Sequence, residues 1–175
     1  LKIQLLATIG PSSFNRSTIK AMEANDVNLF KINLSHTKIN YLEEIIKNLQ
    51  EWSSVPICLD SEGAQVRNQY MANESVNFDE GDTVKIHPNE VIGDKNNISF
   101  VPNTVFNQLN VSDLIYVDFH TVTLGVIEKK ANFILAKVIS GGIVGSNKAV
   151  NINREINLQP ITTKDFEAFR IGKKM

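Results

Sequence analysis

The sequence is poor in cysteine and in clustered basic charge, and it has no long hydrophobic run. Its single cysteine, Cys58, lies in an apolar segment and cannot form an internal disulfide, which indicates a buried thiol in a reducing compartment. No apolar stretch reaches the roughly 18 residues of a membrane-spanning helix. The first residues lack the basic segment and the small-residue cleavage site of a signal peptide. We therefore expect a cytoplasmic protein without a membrane partner.

The charge of the chain gives no sign of a nucleic-acid partner. The formal net charge is -1, and the lysines and arginines are scattered along the sequence. A nucleic-acid-binding surface needs basic residues gathered in a patch or stripe. The composition, 42% hydrophobic and 21% charged over 175 residues, is that of a globular protein with one domain core or two small ones.

The first third of the sequence predicts alternating strands and helices. Strands are predicted over 2–9, 27–34 and 55–59, the first of them a short apolar run typical of a strand buried on both faces. The helix before the second strand is expected to be capped by Ser17 or Thr18 and to end at Ala24. Segment 37–54 predicts a second helix, because its apolar residues recur at helical spacing. This order favours βαβ units and a parallel sheet.

The pattern changes after Arg67. Residues 76–150 contain short apolar runs separated by polar turns, which predicts a small all-β module of antiparallel strands. The acidic and glycine-containing segment 79–82 predicts a turn between two neighbouring short strands. A short helix is expected at 104–109, and a final helix is expected after a cap at Thr162 or Thr163. The β module therefore lies between α/β segments, as an insertion does.

Polar residues follow each of the three predicted parallel strands, in segments 8–13, 31–36 and 60–67. The carboxyl ends of parallel strands are where sites gather in α/β folds. Alternation along an extended strand places Lys31, Asn33 and Ser35 on one side. Oxygen atoms of Asn33, Ser35 and Asp60 suit a hard cation, whereas Lys31 and Arg67 suit a phosphate.

Each cluster also has a structural explanation. Asn33, Ser35 and His36 are residues that cap the start of a helix, and Asp60 and Ser61 are common in turns. The sequence contains no Walker A loop, no GxGxxG and no HExxH motif. Residue patterns alone thus leave a phosphate and cation site and a set of caps and turns as alternatives.

Five segments in order resemble the pyruvate kinase family. ATIGPSS and FKINLSH are similar to that family's CTIGPAS-type opening and ARxNFSH-type strand, and CLDSEGAQVR resembles its ALDTKGPEIR-type segment. LIYVDFHTVTLGV with SGGIVGSNKAVNIN, and then ITTKDFEAFRIG, resemble the end of the family's inserted lid domain and the return to its barrel. The resemblance spans essentially the whole chain.

The resemblance implies an α/β fold that contains the first three strands of a TIM (β/α)8 barrel and an inserted small all-β barrel. Residues 1–67 and 156–175 would form the discontinuous partial barrel, and residues 68–155 would form the lid. It further implies phosphoryl transfer from phosphoenolpyruvate to ADP, giving pyruvate and ATP, with potassium and magnesium. The longer protein of which this chain would be a part, called here the parent protein, would be a homo-oligomer.

The resemblance assigns roles residue by residue. The potassium ligands would be Asn33, Ser35, Asp60 and Ser61. Lys31 falls where an arginine contacts the transferred phosphoryl group, His36 and Arg67 fall on nucleotide-phosphate positions, and Asp118 matches the first acidic residue of the lid turn. The magnesium ligands and the lysine that assists transfer would lie beyond residue 175, so we expect the isolated chain to be incomplete and inactive.

The sequence also departs from the family pattern. Lys31 replaces an arginine, Glu62 replaces a lysine, Gln65 removes a carboxylate, and Phe119-His120 replaces Asp-Gly in the lid turn. Two alternatives to an active pyruvate kinase therefore stay open. One is a divergent, non-catalytic binding or regulatory module, and the other is a kinase or lyase with a different phosphorylated or carboxylated substrate.

Overall fold

The computed structural model describes residues 3–61, 63 and 65–175. The chain divides into two compact units, Leu1–Ala64 with Gln159–Met175, and Gln65–Leu158. The first is called here the parallel-sheet unit and the second the β-barrel unit. Glu62, one of the residues that departs from the family pattern, lies outside the described residues.

The elements follow one another in this order: β1 Leu5–Ile9, α1 Arg16–Ala24, β2 Val27–Asn33, α2 Ile39–Trp52, β3 Ile57–Asp60, β4 Val66–Asn68, β5 Ser75–Phe78, β6 Thr83–His87, β7 Asn97–Val101, α3 Thr104–Gln108, β8 Leu114–Val117, β9 Val122–Lys129, β10 Ile134–Ser140, β11 Gly142–Gly145, β12 Ala149–Ile152 and α4 Thr163–Lys174. A short 3-10 turn, Ala72–Glu74, precedes β5. Among the described residues, no helix combines the length and the apolar character needed to cross a membrane.

The parallel-sheet unit contains a three-stranded sheet in the order β1-β2-β3, with both strand pairs parallel, as the sequence predicts. Its core is formed by apolar residues of β2 and the region just after it, together with α1, α2 and α4. Fully or almost fully buried there are Ile19, Phe30, Ile32, Leu34, Leu42, Ile46, Leu49 and Ala168. Leu42, Ile46 and Leu49 lie three and four residues apart, so one stripe of α2 packs on the sheet.

Two predictions for this unit are wrong. β1 is not buried on both faces, because Leu5 and Leu6 are 47% and 51% exposed and β1 is an edge strand of the described sheet. Helix α1 is capped by Asn15, whose side-chain oxygen accepts from the amide of Thr18 at 3.0 Å. Ser17 donates its hydroxyl to the same oxygen, so the predicted caps are partners of the true one.

Helix α4 begins with a capping box. Thr162, one of the two predicted caps, accepts from the amide of Asp165, and the carboxylate of Asp165 accepts from the amide of Thr162 at 2.8 Å. The reciprocal pair satisfies two amides that the first turn of a helix leaves without intrahelical partners.

In the β-barrel unit, seven strands form a closed barrel in the order β10-β6-β7-β4-β12-β8-β9. Strands β5 and β11 form a separate antiparallel pair. Alternate residues of the barrel strands, among them Val84, Ile86, Ile115 and Leu124, are buried in one apolar core. The short helix expected at 104–109 is present as α3.

The predicted strand pairing of this unit is wrong in two places. The turn at 79–82 does not join paired strands, since β5 pairs with β11 whereas β6 pairs with β7 and β10. The turn instead bonds to β10, because Gly81 donates to Val138 and Val138 donates back to Asp82. The strands are not all antiparallel either, because β6 and β7 run parallel after a connection in which Gly93 bridges Met71.

Candidate active site

The candidate site of the parallel-sheet unit lies at the carboxyl ends of β2 and β3. Asn33 and Asp60, the last residues of these strands, are direct partners in the sheet register. Along β2 the buried residues Phe30 and Ile32 alternate with the half-buried Lys31 and Asn33. The apolar residues thus pack into the core, and the polar ones share the other face.

An ion pair joins the two strands at this edge. Lys31 Nζ lies 2.9 Å from Asp60 Oδ2, and the two side chains are 27% and 41% exposed. Because both groups remain in contact with water, their attraction is screened and adds little to stability, about 1 kcal/mol or less. The ion pair instead places the ammonium group of Lys31 beside the carboxylate of Asp60 at the ends of the two strands.

Asn33 turns the chain just after β2. Its side-chain oxygen accepts from the amide of Ser35 at 2.9 Å, and its carbonyl accepts from the hydroxyl of Thr37 at 2.8 Å. The amide of Leu34 donates to the carbonyl of Asp60 at 3.0 Å, which ties this turn to the end of β3. Ser61, the next residue along, is exposed.

Helix capping does not explain the second polar cluster. The N-cap of α2 is Lys38, and no side-chain cap hydrogen bond is present there. The interpretation of Asn33, Ser35 and His36 as caps of this helix is therefore wrong. His36 is exposed, and its amide donates to the carbonyl of Asn33 at 3.2 Å.

The donor set at this edge matches what a hard cation prefers. Asn33, Asp60, Ser35 and Ser61 offer amide, carboxylate and hydroxyl oxygens, and such oxygens suit alkali and alkaline-earth ions. Because Asp60 Oδ2 already forms an ion pair with Lys31, a bound cation would have to share that carboxylate with the lysine. The four residues fit a monovalent ion better than a doubly charged one, since only one of them is ionised.

A cavity of 620 Å³ opens beside this edge, at the ends of β1 and β2. Its lining includes Pro11, Phe14, His36, Tyr41 and Ile45, together with Asn33. The walls are mainly apolar and aromatic with a few polar groups, which is the usual character of a small-molecule pocket. The first two polar clusters of the sequence therefore border one cavity.

Three residues at this edge escape prediction from the sequence pattern. Tyr41 lines the cavity and is 53% exposed, and the signal in the sequence would be an aromatic residue outside the buried stripe of the predicted helix. Lys164 Nζ donates to the carbonyl of Leu34, and Asp165 Oδ2 accepts from the amide of Gly63 at 3.3 Å. The spacing of Thr162 and Asp165 reveals a capping box, but not a contact so distant in sequence.

Arg67 belongs to the β-barrel unit, on β4. Its guanidinium donates to the carbonyl of Asn147 and to the side chain of Gln65, both at 2.8 Å. These bonds fix the direction of the half-buried side chain. They also occupy donors that a phosphate contact would use.

Asp118 lies in the same unit, in the turn between β8 and β9. Its carboxylate is 3.6 Å from Lys148 Nζ, and its amide donates to the carbonyl of Ala149. Asp118, Phe119 and His120 have φ values of 51°, 53° and 73°. The left-handed backbone that glycine favours is thus present without glycine.

Comparison with known proteins gives a consistent result. The family model "Pyruvate kinase, barrel domain" matches residues 1–175. Pyruvate kinase of Geobacillus stearothermophilus is 28% identical over 172 residues, covering 94% of this chain and 29% of that protein. Pyruvate kinase of Thermotoga maritima is 26% identical over 175 residues, covering 97% and 38%. Plastidial pyruvate kinase 3 of Arabidopsis thaliana is 26% identical over 178 residues, covering 98% and 31%. The chain spans about a third of the length of these relatives.

Proposed function

Because the chain belongs to the pyruvate kinase family, we propose that it is the first part of an enzyme that transfers a phosphoryl group from phosphoenolpyruvate to ADP. The observation that carries the proposal is the Lys31–Asp60 pair at the carboxyl edge of a parallel sheet, where Asn33, the register partner of Asp60, lines the cavity together with His36. Phosphate recognition requires a cation held in place, and the cavity that Asn33 and His36 line has the size of a small-molecule pocket.

The fold proposed for the parent protein is a TIM (β/α)8 barrel. Its first three strands would be β1, β2 and β3, and the segment 68–155, which lies within the β-barrel unit Gln65–Leu158, would be an inserted lid. The exposed apolar residues Leu5 and Leu6 support this proposal, since further barrel elements would cover such a surface. On the family resemblance alone, we assign Arg67 to the nucleotide phosphates and Asp118 to the lid turn.

Each residue of the sheet edge has a proposed task. Lys31 contacts the transferred phosphoryl group, and its charge offsets the negative charge that spreads over the phosphoryl oxygens in the transition state. His36 contacts the nucleotide phosphates, with the nucleotide lying in the adjoining cavity. Asn33, Ser35, Asp60 and Ser61 would hold potassium, which supplies further positive charge close to the phosphate.

The proposed reaction breaks the P–O bond to the enol oxygen of phosphoenolpyruvate and forms a P–O bond to the terminal oxygen of ADP. The enolate that leaves takes up a proton and becomes pyruvate. The residues of this chain bind and orient, since the proposed magnesium ligands and the assisting lysine lie outside it. We therefore expect the isolated chain to be inactive.

The first test is the reaction itself in the full-length protein. Pyruvate formation from phosphoenolpyruvate and ADP, with potassium and magnesium, is followed through lactate dehydrogenase. We expect turnover by the wild type and a loss of at least 100-fold in Lys31→Met, since a group that stabilises transition-state charge contributes on that order. The matched control is Lys47→Met, which removes an exposed lysine of α2 paired with Glu43, and it should retain activity.

The outcomes separate the proposed function from its alternative. A wild-type protein that binds ADP but forms no pyruvate would be a binding or regulatory module. A wild-type enzyme that is indifferent to Lys31→Met would keep the reaction and remove Lys31 from the site.

A further inference from the structure

The amino end of α4 reaches both loops that follow β2 and β3. Lys164 Nζ donates to the carbonyl of Leu34, which lies 130 positions away in the sequence. The neighbouring Asp165 Oδ2 accepts from the amide of Gly63 at 3.3 Å. One turn of one helix therefore holds the backbone of two separate loops.

Asp165 is buried, with no exposed surface. Its carboxylate also accepts from the amide and the hydroxyl of Thr162, each at 2.8 Å. A buried carboxylate is costly unless hydrogen bonds compensate it, and the positive end of the helix macrodipole favours a negative charge at this position. The hydrogen bonds and the helix together fix the carboxylate in one orientation.

The two loops carry the four residues proposed to hold potassium. Leu34 lies between Asn33 and Ser35, and its amide donates to the carbonyl of Asp60 at 3.0 Å. Gly63 follows Ser61 by two positions and has a φ of 59°, in the left-handed region. The backbone groups beside both pairs of candidate ligands are thus bonded either to α4 or to each other.

We propose that Lys164 and Asp165 are positioning residues for the cation site, setting the distance between the Asn33–Ser35 loop and the Asp60–Ser61 loop. The inference rests on the proposed function, because it requires that these loops hold a cation. Its physical basis is that ligands of an ion must be held in a narrow geometry by the groups behind them.

A role in capping alone does not account for these contacts. The capping box is complete with Thr162 and Asp165, both belonging to the start of α4. The bond to Gly63 and the bond from Lys164 to Leu34 are directed away from the helix and add nothing to its cap. The capping box and the two loop contacts are therefore different interactions. Variants can remove one kind and keep the other.

The experiment uses the full-length protein and two readouts, potassium activation of pyruvate formation and binding of thallous ion, a potassium substitute, by calorimetry. Asp165→Ala removes the loop contact and the carboxylate half of the capping box, whereas Thr162→Ala removes the hydroxyl half and leaves the carboxylate beside Gly63. Both should lower the melting temperature. We expect only Asp165→Ala to weaken thallous-ion binding and raise half-saturating potassium, by about 10- to 100-fold, as supporting groups of metal sites do.

A second pair of variants covers the case in which Asp165→Ala does not fold. Lys164→Met keeps the capping box and loses the bond to Leu34, and we expect it to weaken thallous-ion binding several-fold. Lys173→Met, at the other end of α4, is the matched control and should bind like the wild type.

Equal cation binding in Lys164→Met, Lys173→Met and the wild type would overturn the inference, as would equal shifts in Thr162→Ala and Asp165→Ala. A wild type that binds no thallous ion would overturn the proposed cation site and this inference with it. A wild type that binds the ion without forming pyruvate would remove only the proposed reaction, and the variants would still decide the role of α4.

Discussion

At the scale of single residues, the turn after β8 departs most clearly from what its side chains favour. Asp118, Phe119 and His120 all have positive φ values. A residue with a Cβ pays roughly 1–2 kcal/mol for the left-handed conformation. The ring of His120 lies 4.2 Å from that of Tyr116, and this contact offsets part of the backbone penalty at His120. Phe119 is 81% exposed and therefore has little packing to offset its own penalty.

Phe119→Gly should therefore stabilise the protein. The change removes the left-handed penalty and loses little packing, while the added freedom of glycine in the unfolded chain costs about 0.5–1 kcal/mol. We expect the free energy of unfolding to rise by up to about 1 kcal/mol in urea denaturation. Phe119→Ala, which keeps a Cβ at this φ, is the control. A Phe119→Gly protein no more stable than Phe119→Ala would show that the turn is not strained.

At the scale of elements, the end of α3 is tied to the chain after β12 by Asp113 and Arg154. The guanidinium donates to both carboxylate oxygens at 2.8 Å, and to the carbonyl of Gln108. The Arg154 hydrogen bond holds the pKa of Asp113 below its ordinary value of 3.8, against the opposing effect of burial, with the amide of Asn110 contributing further. Asp113 is buried whereas Arg154 is partly exposed.

Asp113→Asn should cost about 2 kcal/mol of unfolding free energy at pH 7, less than the 3–5 kcal/mol of a fully buried pair because Arg154 contacts water. Since the pKa of Asp113 is lowered by folding, its contribution is fully present well above 3.8 and is lost as the pH falls through the folded value. Urea denaturation at pH 7 and pH 3 should therefore show the gap between variant and wild type narrowing at pH 3.

The control for this pair is Glu128→Gln, which breaks the exposed Glu128–Lys130 pair. Its effect at pH 7 should stay within about 0.5 kcal/mol. Equal losses of unfolding free energy in Asp113→Asn and Glu128→Gln would mean that burial of Asp113 does not make its ion pair more stabilising than an exposed one.

Most elements follow from local sequence, as does the parallel pairing of β1, β2 and β3, but the strand pairing of the β-barrel unit does not. The apolar run of β2 and the helical spacing in α2 identify both elements, because burial of one face dictates those periods. The partner of β5 is β11, which lies far along the chain, whereas the nearby turn suggested β6. A turn residue reports only local backbone geometry, and the closure of a barrel depends on contacts remote in sequence.

At the scale of the whole molecule, some residues of the candidate site could be brought together from sequence, and others could not. Lys31, Asn33 and Asp60 could be placed together from sequence, since successive parallel strands end at one edge of a sheet. Lys164 and Asp165 could not, because nothing local indicates that α4 contacts the loops after β2 and β3. Arg67 and Asp118 lie in the β-barrel unit, and their roles stay predictions from the family resemblance.

The response of the full-length protein to potassium should depend on Asp60. Asp60 is the only ionised group among the four proposed ligands, so its charge should dominate the attraction for a monovalent cation. We expect Asp60→Ala to abolish potassium activation of pyruvate formation, measured with tetramethylammonium chloride keeping the ionic strength constant. Glu51→Ala, which removes an exposed carboxylate of α2, should keep the wild-type response.

Because Asp60 also holds Lys31, Asp60→Ala alters two groups at once, and the two effects differ in their dependence on potassium. Release of Lys31 would change the rate by the same factor at every potassium concentration. Loss of a cation ligand would remove the dependence on potassium itself. An Asp60→Ala enzyme that is slower, yet still activated by potassium over the wild-type range, would assign Asp60 to orienting Lys31 and leave the cation to other ligands.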